Sequence, residues 1–299
     1  IYMAKKDNYV IFNPEGGLGK IIASTAVVRY IHEKYPKHKI IVLTPWPEIY
    51  LNNPRIHRVY KTGATPYFYK DYIAGRESII LKGEPYYNTD HLYGKQHLVK
   101  SWCELYGLPF DGNTKPEIYF TVNEIDMYKD MTKRDKPTLV MQTNGGMYEN
   151  GKIYSWTRDI PYQQSQILAN ELSKQYHILH IGSKNSKTIN NTESYNNIPN
   201  KRSLIGILIH SSKRLLIDSC MQHAAAALDL ESTVCWVATD PNVFGYEIHD
   251  NIKPVLPFRE TSNIDSLFFD YDFNGPEHEY PFESADIFNL QEVYNSVVK

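Results

Sequence analysis

The stretch Asn13–Lys20, NPEGGLGK, decides the fold because it joins a short apolar run to a helical pattern. The preceding run, YVIFN from Tyr9 to Asn13, is rich in β-branched and aromatic residues and is typical of a buried strand. The following Lys20–Lys34, KIIASTAVVRYIHEK, gathers its aliphatic residues into one stripe, as a helix does. Pro36 ends this helix, and KIIVLT (Lys39–Thr44) reads as a second strand. Strand, helix and strand in so short a span predict a βαβ unit with parallel strands.

The alternation of strands and helices occurs twice along the chain. In the first half it runs to a predicted strand EIYFT at Glu117–Thr121, and after the polar run Asn123–Pro137 it restarts with TLVMQT. We place the boundary near residue 134, so the sequence predicts two α/β domains, 1–134 and 135–299, each with an open parallel sheet. Ligands of such sheets bind beyond the carboxyl ends of the strands, so a cleft between the domains is the expected site.

The composition restricts the partners and the compartment. The 299 residues carry a formal net charge of −2, so no general basic field attracts nucleic acid or an anionic membrane. Three widely separated cysteines, no signal peptide and no apolar run of membrane length predict a protein of a reducing cytoplasm without an integral membrane segment. The 24 tyrosines, with abundant Lys, Ile and Asn, indicate an AT-rich genome, that of a bacterium or its phage. For a phage protein the compartment is the host cytoplasm.

The glycine loop does not match the two best-known phosphate-binding fingerprints. A Walker A loop fails because Pro14 takes the place of its first glycine and Ile21 that of its hydroxyl residue. The dinucleotide fingerprint fails because Ile22 stands where its third glycine belongs. The loop still predicts exposed backbone N–H groups at a helix start, suited to an anion or a sugar, through Gly16, Gly17 and Gly19. A tight turn without a ligand is the alternative.

Two segments resemble the signatures of the heptosyltransferase-like glycosyltransferases of family 9. The first segment contains the glycine loop, its helix, Tyr35-Pro36 and then NPRIHRV at Asn53–Val59. The second is a strand ending in Asp-Ser, an alanine-rich helix, a further strand and Thr-Asp-Pro. Trp156 and the closing DIFNLQEVYNSVVK are also similar to family features. The positions matched in the second segment are Asp218, Ser219, His223, Thr239, Asp240 and Pro241.

The resemblance implies a GT-B fold, with two Rossmann-like domains whose parallel sheets face each other across a cleft. It implies an acceptor in 1–134, a nucleotide-sugar donor in 135–299, and a terminal helix able to pack back on the first domain. The implied reaction is inverting transfer to an acceptor hydroxyl of a saccharide or surface glycan, with the nucleotide-sugar as co-substrate and neither cofactor nor metal. The expected donor-binding residues are Gln142, Lys152, Arg158, Ser183, Lys184, Asp218, Ser219, His223, Thr239 and Asp240.

Elementary chemistry agrees with this donor site. A hydroxyl and free N–H groups at the start of the alanine-rich helix suit a diphosphate, and helix dipoles and cations can offset its charge. For Asp218 the alternative is a helix N-cap, and for His223 it is a histidine packed on a helix face.

Three departures from the family signature concern the chemistry. Lys20 stands where the family has an aspartate that is thought to be the general base, and an ammonium group is a poor base near neutral pH. We expect Glu15 to replace it, with Asp90 and His91 as the next candidates. Cys220 replaces a glycine after Asp-Ser. Tyr154 replaces a lysine, a role that Lys152 or Arg158 would have to take.

Two further functions remain open from the sequence. The aromatic and basic segment Pro66–Arg76, PYFYKDYIAGR, could serve a phage-type DNA glycosyltransferase acting on hydroxymethylated bases, or it could be an ordinary exposed loop. A catalytically inactive GT-B relative acting as a binding protein would explain Lys20. The acidic and aromatic segment Ile264–Asp286 has no assigned role.

Overall fold

A computed structural model describes residues 7–145, 158–182, 186–195, 198, 200–258 and 282–299. In these ranges the first half of the chain builds a sheet of four parallel strands in the order β3-β2-β1-β4. From β1 the chain adds β2 and β3 on one side and β4 on the other, so the pair β1 and β4 is the topological switch point. The strands are β1 (Tyr9–Phe12), β2 (Lys39–Thr44), β3 (Ile56–Lys61) and β4 (Ser78–Leu81).

The second half builds a sheet of six parallel strands within the described ranges, in the order β10-β9-β8-β5-β6-β7. This is the doubly wound order of a Rossmann domain, with its switch point between β5 and β8. The short edge strands β7 and β10 are additions to the predicted elements. The strands are β5 (Thr138–Gln142), β6 (His177–Ile181), β7 (Glu193–Ser194), β8 (Lys213–Ile217), β9 (Thr233–Cys235) and β10 (Asp250–Ile252).

Helices connect the strands of both sheets. The first half contains α1 (Leu18–Ser24), α2 (Val27–Lys34), α3 (Phe68–Tyr72), α4 (Thr89–Leu92), α5 (Leu98–Leu105) and α6 (Val122–Thr132). The second half contains α7 (Tyr162–Leu172), α8 (Lys201–His210), α9 (Cys220–Ala227), α10 (Pro241–Phe244) and α11 (Leu290–Val298).

The single helix predicted at Lys20–Lys34 is interrupted by a 3-10 turn, which separates α1 from α2. At this turn the N–H of Thr25 donates to the carbonyl of Ile22 three residues earlier. The hydroxyls of Ser24 and Thr25 also donate to carbonyls of α1, at 2.8 and 2.6 Å, and so compete with the regular helix ladder. Thr25 Oγ1 in addition accepts a bond from the N–H of Glu117 at 2.8 Å. The turn therefore ties the first βαβ unit to the segment that leads to the second domain.

The predicted strand at Glu117–Thr121 is wrong. This segment pairs with neither sheet and runs as an extended connection between α5 and α6. Its alternation of apolar and polar residues instead reflects one buried side chain, Ile118, and a carboxylate, Glu117, that is held by Arg29 and Arg55 at 3.3 and 2.7 Å. Contacts of its side chains thus hold this segment in place of the backbone hydrogen bonds that a strand would make to its neighbours.

The two domains pack closely against each other. A continuous cluster of buried apolar residues contains the aliphatic face of α1 and the alanine-rich helix α9. Next to it, α6 packs on α8, where the ring of Tyr128 lies against Gly206. Arg202 of α8 is buried and donates to Glu124 of α6 at 2.6 Å and to the carbonyl of Glu48 at 3.0 Å. The predicted boundary near residue 134 falls between α6 and β5.

The terminal helix α11 does not show the expected packing against the first domain. Its buried residues Val293 and Val297 belong to an apolar cluster made of second-domain residues, which include Leu215 and Cys235. The helix is amphipathic, and the apolar face of the second sheet beside β8 and β9 is the surface that it covers.

Candidate active site

The carboxyl edges of the two sheets carry the residues that chemistry would use. At the first switch point the loops after β1 and β4 leave the sheet side by side, because Phe12 pairs with Leu81. At the second switch point the ends of β5 and β8 are neighbours, since Met141 pairs with Leu215. Ligands of doubly wound sheets bind at such points.

The glycine loop of the first domain lies directly on the start of α9 in the second domain. A Cβ added to Gly19 would come within 3.3 Å of the backbone N of Cys220 and of Cδ2 of His223. A side chain at this position would push α9 away by a few tenths of an ångström, so glycine permits the closest approach of the two elements. The other two glycines have different roles: Gly16 adopts a φ of +120°, whereas Gly17 is the extended N-cap of α1 and faces open space.

Four charged side chains surround the first switch point. Lys20 donates to both carboxylate oxygens of Glu84 at 2.6 Å, and Lys82 lies 3.1 Å from Glu15. Burial lowers the pKa of Lys20, and its bond to Glu84 opposes that shift. Glu84 is not among the residues expected from the sequence. The signal was present, because KGE follows the strand predicted at Ser78, but the pairing of β4 with β1 was needed to bring it to Lys20.

Of the other candidate bases, His91 is enclosed. Its ring is fully buried, stacks on Tyr86 at a centroid distance of 5.2 Å and meets the edge of Phe244 at 5.5 Å. Burial lowers the pKa of His91 to about 4. A ring held in this way packs the domains together and has no access to an acceptor hydroxyl, which corrects the expected role. Asp90 is exposed in the first turn of α4.

On the donor side, four expected residues meet at the second switch point. The Gln142 amide donates to the hydroxyl of Ser219 at 3.2 Å, and Arg158 lies 3.7 Å from the buried carboxylate of Asp218. Ser219 is the N-cap of α9, and its side chain makes no capping bond. The N-cap alternative for Asp218 is therefore wrong. Among the described residues Oε1 of Gln142 and Oδ2 of Asp218 are buried acceptors without a hydrogen-bond partner.

His223 and Asp240 have structural partners. His223 is buried, and its Nδ1 lies 2.8 Å from the hydroxyl of Tyr246. Burial lowers its pKa well below the usual value, so the imidazole is neutral. Asp240 caps α10 by accepting the N–H of Asn242 at 2.9 Å. The buried hydroxyl of Thr239 has no hydrogen-bond partner in the part of the chain that is described.

Two residues that the sequence analysis did not select, Trp46 and Lys201, span the two domains. Trp46 follows β2, and the ammonium of Lys201, at the start of α8, lies 5.6 Å from its ring centre. The charge of Lys201 also acts on the thiol of Cys220, whose pKa is raised by burial. Lys201 therefore supplies a cation near the start of α9, where an anion would lie.

Several expectations lie outside the described residues: Lys152, Tyr154, Trp156, Ser183, Lys184 and most of Ile264–Asp286. The described ranges contain no group of three or more His, Cys, Asp or Glu side chains arranged as a metal site, and none of their helices has the length and apolarity that a membrane span requires.

In the segment Pro66–Arg76, Tyr67 and Tyr69 are exposed, whereas Phe68 and Tyr72 pack beside Tyr9. A separate cavity of about 480 Å³ lies between the domains beyond the far end of α9, next to Asn113, Lys115 and Asp229.

Comparison with known proteins gives matches in structure but not in sequence. No protein-family model matches the chain, and the curated proteins give no match either. The glycosyl transferase of family 9 from Veillonella parvula aligns with a TM-score of 0.63 at 8% identity, over 98% of this chain and 97% of that one. ADP-heptose LPS heptosyltransferase II of E. coli aligns at 0.59 and 11% identity, over 82% and 89%.

The chain has the fold of these glycosyltransferases. E. coli heptosyltransferase WaaC, solved with ADP, adds a third match with a TM-score of 0.53 at 12% identity, over 87% of this chain and 95% of that one. The two-sheet α/β fold predicted from the glycine loop and from the Asp-Ser motif is thus confirmed. At these identities the likeness concerns the fold, and the function has to be argued from the site.

Proposed function

We propose that this protein is an inverting, metal-independent glycosyltransferase that moves a sugar from a nucleotide-sugar to a hydroxyl of a saccharide acceptor. The observation that carries the proposal is the meeting of the two switch points, with Gly19 of the first domain placed on the start of α9 in the second. An acceptor bound at the first switch point and a nucleotide-sugar bound at the second would have their reacting atoms close together. The shared fold supports the proposal, since WaaC was solved with ADP.

The second domain offers complementary sites for a diphosphate and a sugar. The N–H groups at the start of α9, the hydroxyl of Ser219 and the cations Arg158 and Lys201 suit the negative charge that develops on a leaving diphosphate. Oε1 of Gln142 and Oδ2 of Asp218 accept no hydrogen bond within the described residues, although Arg158 lies 3.7 Å from the latter, and sugar hydroxyls can supply the missing donors. We therefore place the diphosphate at Ser219 and the sugar hydroxyls at Asp218.

The first domain would deliver the acceptor. Its hydroxyl oxygen forms a bond to the anomeric carbon while the bond from that carbon to the diphosphate breaks, and the electron pair leaves with the diphosphate. Attack from the side opposite the leaving group inverts the configuration. The hydroxyl proton passes to a carboxylate of the charged cluster, to which Glu15 and Glu84 both belong. The exposed rings of Tyr87 and Tyr93 follow Glu84 and give a surface on which a saccharide can pack.

The donor site can be tested by calorimetric titration with a panel of nucleoside diphosphates. We expect one of them to bind, and Ser219→Ala to weaken its binding about tenfold through the loss of a charge-assisted hydrogen bond. The matched control is Ser211→Ala, just before the opposite end of β8, which should leave the Kd unchanged within twofold. Failure of the wild type to bind any nucleoside diphosphate would contradict the proposal, as would equal effects of the two substitutions.

A further inference from the structure

The charged cluster at the first switch point consists of two unlike ion pairs. In the pair Lys20–Glu84 the side chains are 8% and 36% exposed, whereas in Lys82–Glu15 they are 57% and 54% exposed. An ion pair between exposed side chains is screened by water and salt and contributes little free energy. The first pair is different, because its cation is almost withdrawn from water and lies on the loop that touches α9.

Lys20 is held from three sides. Its ammonium contacts both oxygens of Glu84 at 2.6 Å and lies 4.3 Å from the ring centre of Tyr86. Its aliphatic stem crosses Gly16, where an added Cβ would come within 2.8 Å of Cδ of Lys20. The N–H of Tyr86 in turn donates to Oε1 of Glu84 at 3.2 Å. The carboxylate therefore has a fixed position, and a bound reactant would not have to order it.

Glu84 retains the capacity to accept one more proton donor. Each carboxylate oxygen has about two acceptor positions. On Oε1 these are taken by Lys20 and by the N–H of Tyr86, but on Oε2 the described residues supply Lys20 alone. A third of the side chain is exposed, so this remaining position of Oε2 is available to a ligand at the carboxyl edge of the sheet.

We propose that Glu84 is the general base that removes the acceptor proton, and that Lys20 is the residue that positions it. This inference rests on the proposed glycosyl transfer. In the step, Oε2 of Glu84 takes the proton while the acceptor oxygen bonds to the anomeric carbon and the diphosphate departs with its electron pair. Lys20 keeps its proton throughout. Glu15 has a secondary role, because its carboxylate and its partner Lys82 are both more than half exposed.

The test compares isosteric variants by initial rates of transfer to a saccharide acceptor and by calorimetric donor binding. In Glu84→Gln the single amide oxygen can still accept from Lys20 and from the N–H of Tyr86, whereas the NH2 group that replaces the other oxygen cannot take a proton, so we expect kcat to fall at least a hundredfold with the donor Kd unchanged within twofold. Glu15→Gln should lower kcat less than tenfold. The matched control is Glu77→Gln, an exposed carboxylate just before the other end of β4, which should behave as the wild type.

A purely structural role for Glu84 is separated from catalysis by the pH profile of kcat/KM. We expect the acidic limb of the wild type to disappear in Glu84→Gln and to remain in Glu84→Asp. The titratable neighbours in the described structure are Lys20, Glu15, Lys82, Tyr86, His91 and Tyr106. Burial raises the pKa of Tyr106 to about 12, outside the assayed range, and lowers that of His91 to about 4; because His91 is present in both variants, it cannot cause a difference between them. Lys20→Met should lower kcat without affecting donor binding, and adding it to Glu84→Gln should cause little further loss.

The outcomes distinguish this inference from the proposed function. Transfer by Glu84→Gln within threefold of the wild type, or a larger loss in Glu15→Gln, would overturn the role of Glu84 and leave the transferase standing. A wild type that binds no nucleoside diphosphate and transfers no sugar would overturn both.

Discussion

The contact between Tyr128 and Gly206 gives a strong prediction about how the two domains are held together. A Cβ at position 206 would lie far inside van der Waals distance of three atoms of the Tyr128 ring. The ring cannot easily move away, because it is buried and meets Phe120 edge-on at a centroid distance of 5.4 Å. Gly206→Ala should therefore act as overpacking of a core.

Overpacking usually costs about 1–3 kcal/mol, and the overlap of three ring atoms places this site at the upper end. For a chain of this size we expect a loss of about 2–3 kcal/mol and a fall in Tm of about 5 °C or more, measured by thermal melting followed by circular dichroism. The matched control is Gly17→Ala, where an added Cβ meets nothing within 4 Å and the cost should stay below about 1 kcal/mol.

A second substitution tests whether the ring is the cause. Tyr128→Leu makes room for the new methyl group, so it should destabilise Gly206→Ala less than it destabilises the wild type. A Tm of Gly206→Ala equal to that of the wild type would show that α6 and α8 do not pack as described. Strict additivity of the stability losses caused by Gly206→Ala and Tyr128→Leu would lead to the same conclusion.

Three further predictions concern single contacts. Gly16→Ala should cost about 1–3 kcal/mol in thermal melts, because φ is +120° and the new Cβ would press on the stem of Lys20; an unchanged Tm would refute the loop geometry. Thr25→Val should cost about 1–3 kcal/mol in urea unfolding, since it removes the acceptor of the Glu117 N–H, and a cost below 0.5 kcal/mol, taken as roughly the size of a surface substitution, would speak against that bond. The bond to its arginine partner lowers the pKa of Glu124 from 4.5 to about 2, so the stability that its charge contributes is present above pH 4.5 and is lost as the pH falls toward 2. The difference in Tm between wild type and Glu124→Gln should shrink over that interval, and a constant difference would contradict the assignment.

The fold could be predicted from the sequence because its strands and helices have strong local signals. YVIFN followed by glycines, and RLLID followed by an alanine-rich helix, each define a strand, a turn and a helix without reference to the rest of the chain. Glu117–Thr121 was predicted wrongly because its alternating pattern is satisfied by contacts with Thr25, Arg29 and Arg55, which local sequence does not reveal.

The site was predictable on one side only. Gln142 ends one recognisable strand, and Asp218 and Ser219 follow another, so their position at a carboxyl edge follows from the sheet order. The acceptor side depended on which strand lies beside β1. Sequence order suggested the loop residue Glu15, whereas the pairing of β4 with β1 brings Glu84 to Lys20 across 64 residues. The burial of His91 between two aromatic rings likewise depends on tertiary contacts, which local sequence does not reveal.

The most direct test of the account is a crystal structure with the tightest-binding nucleoside diphosphate. We expect phosphate oxygens within hydrogen-bond distance, about 3 Å, of the backbone N–H groups at the start of α9 and of the hydroxyl of Ser219. Phosphates bound elsewhere, for instance in the cavity next to Lys115 and Asp229, would contradict it.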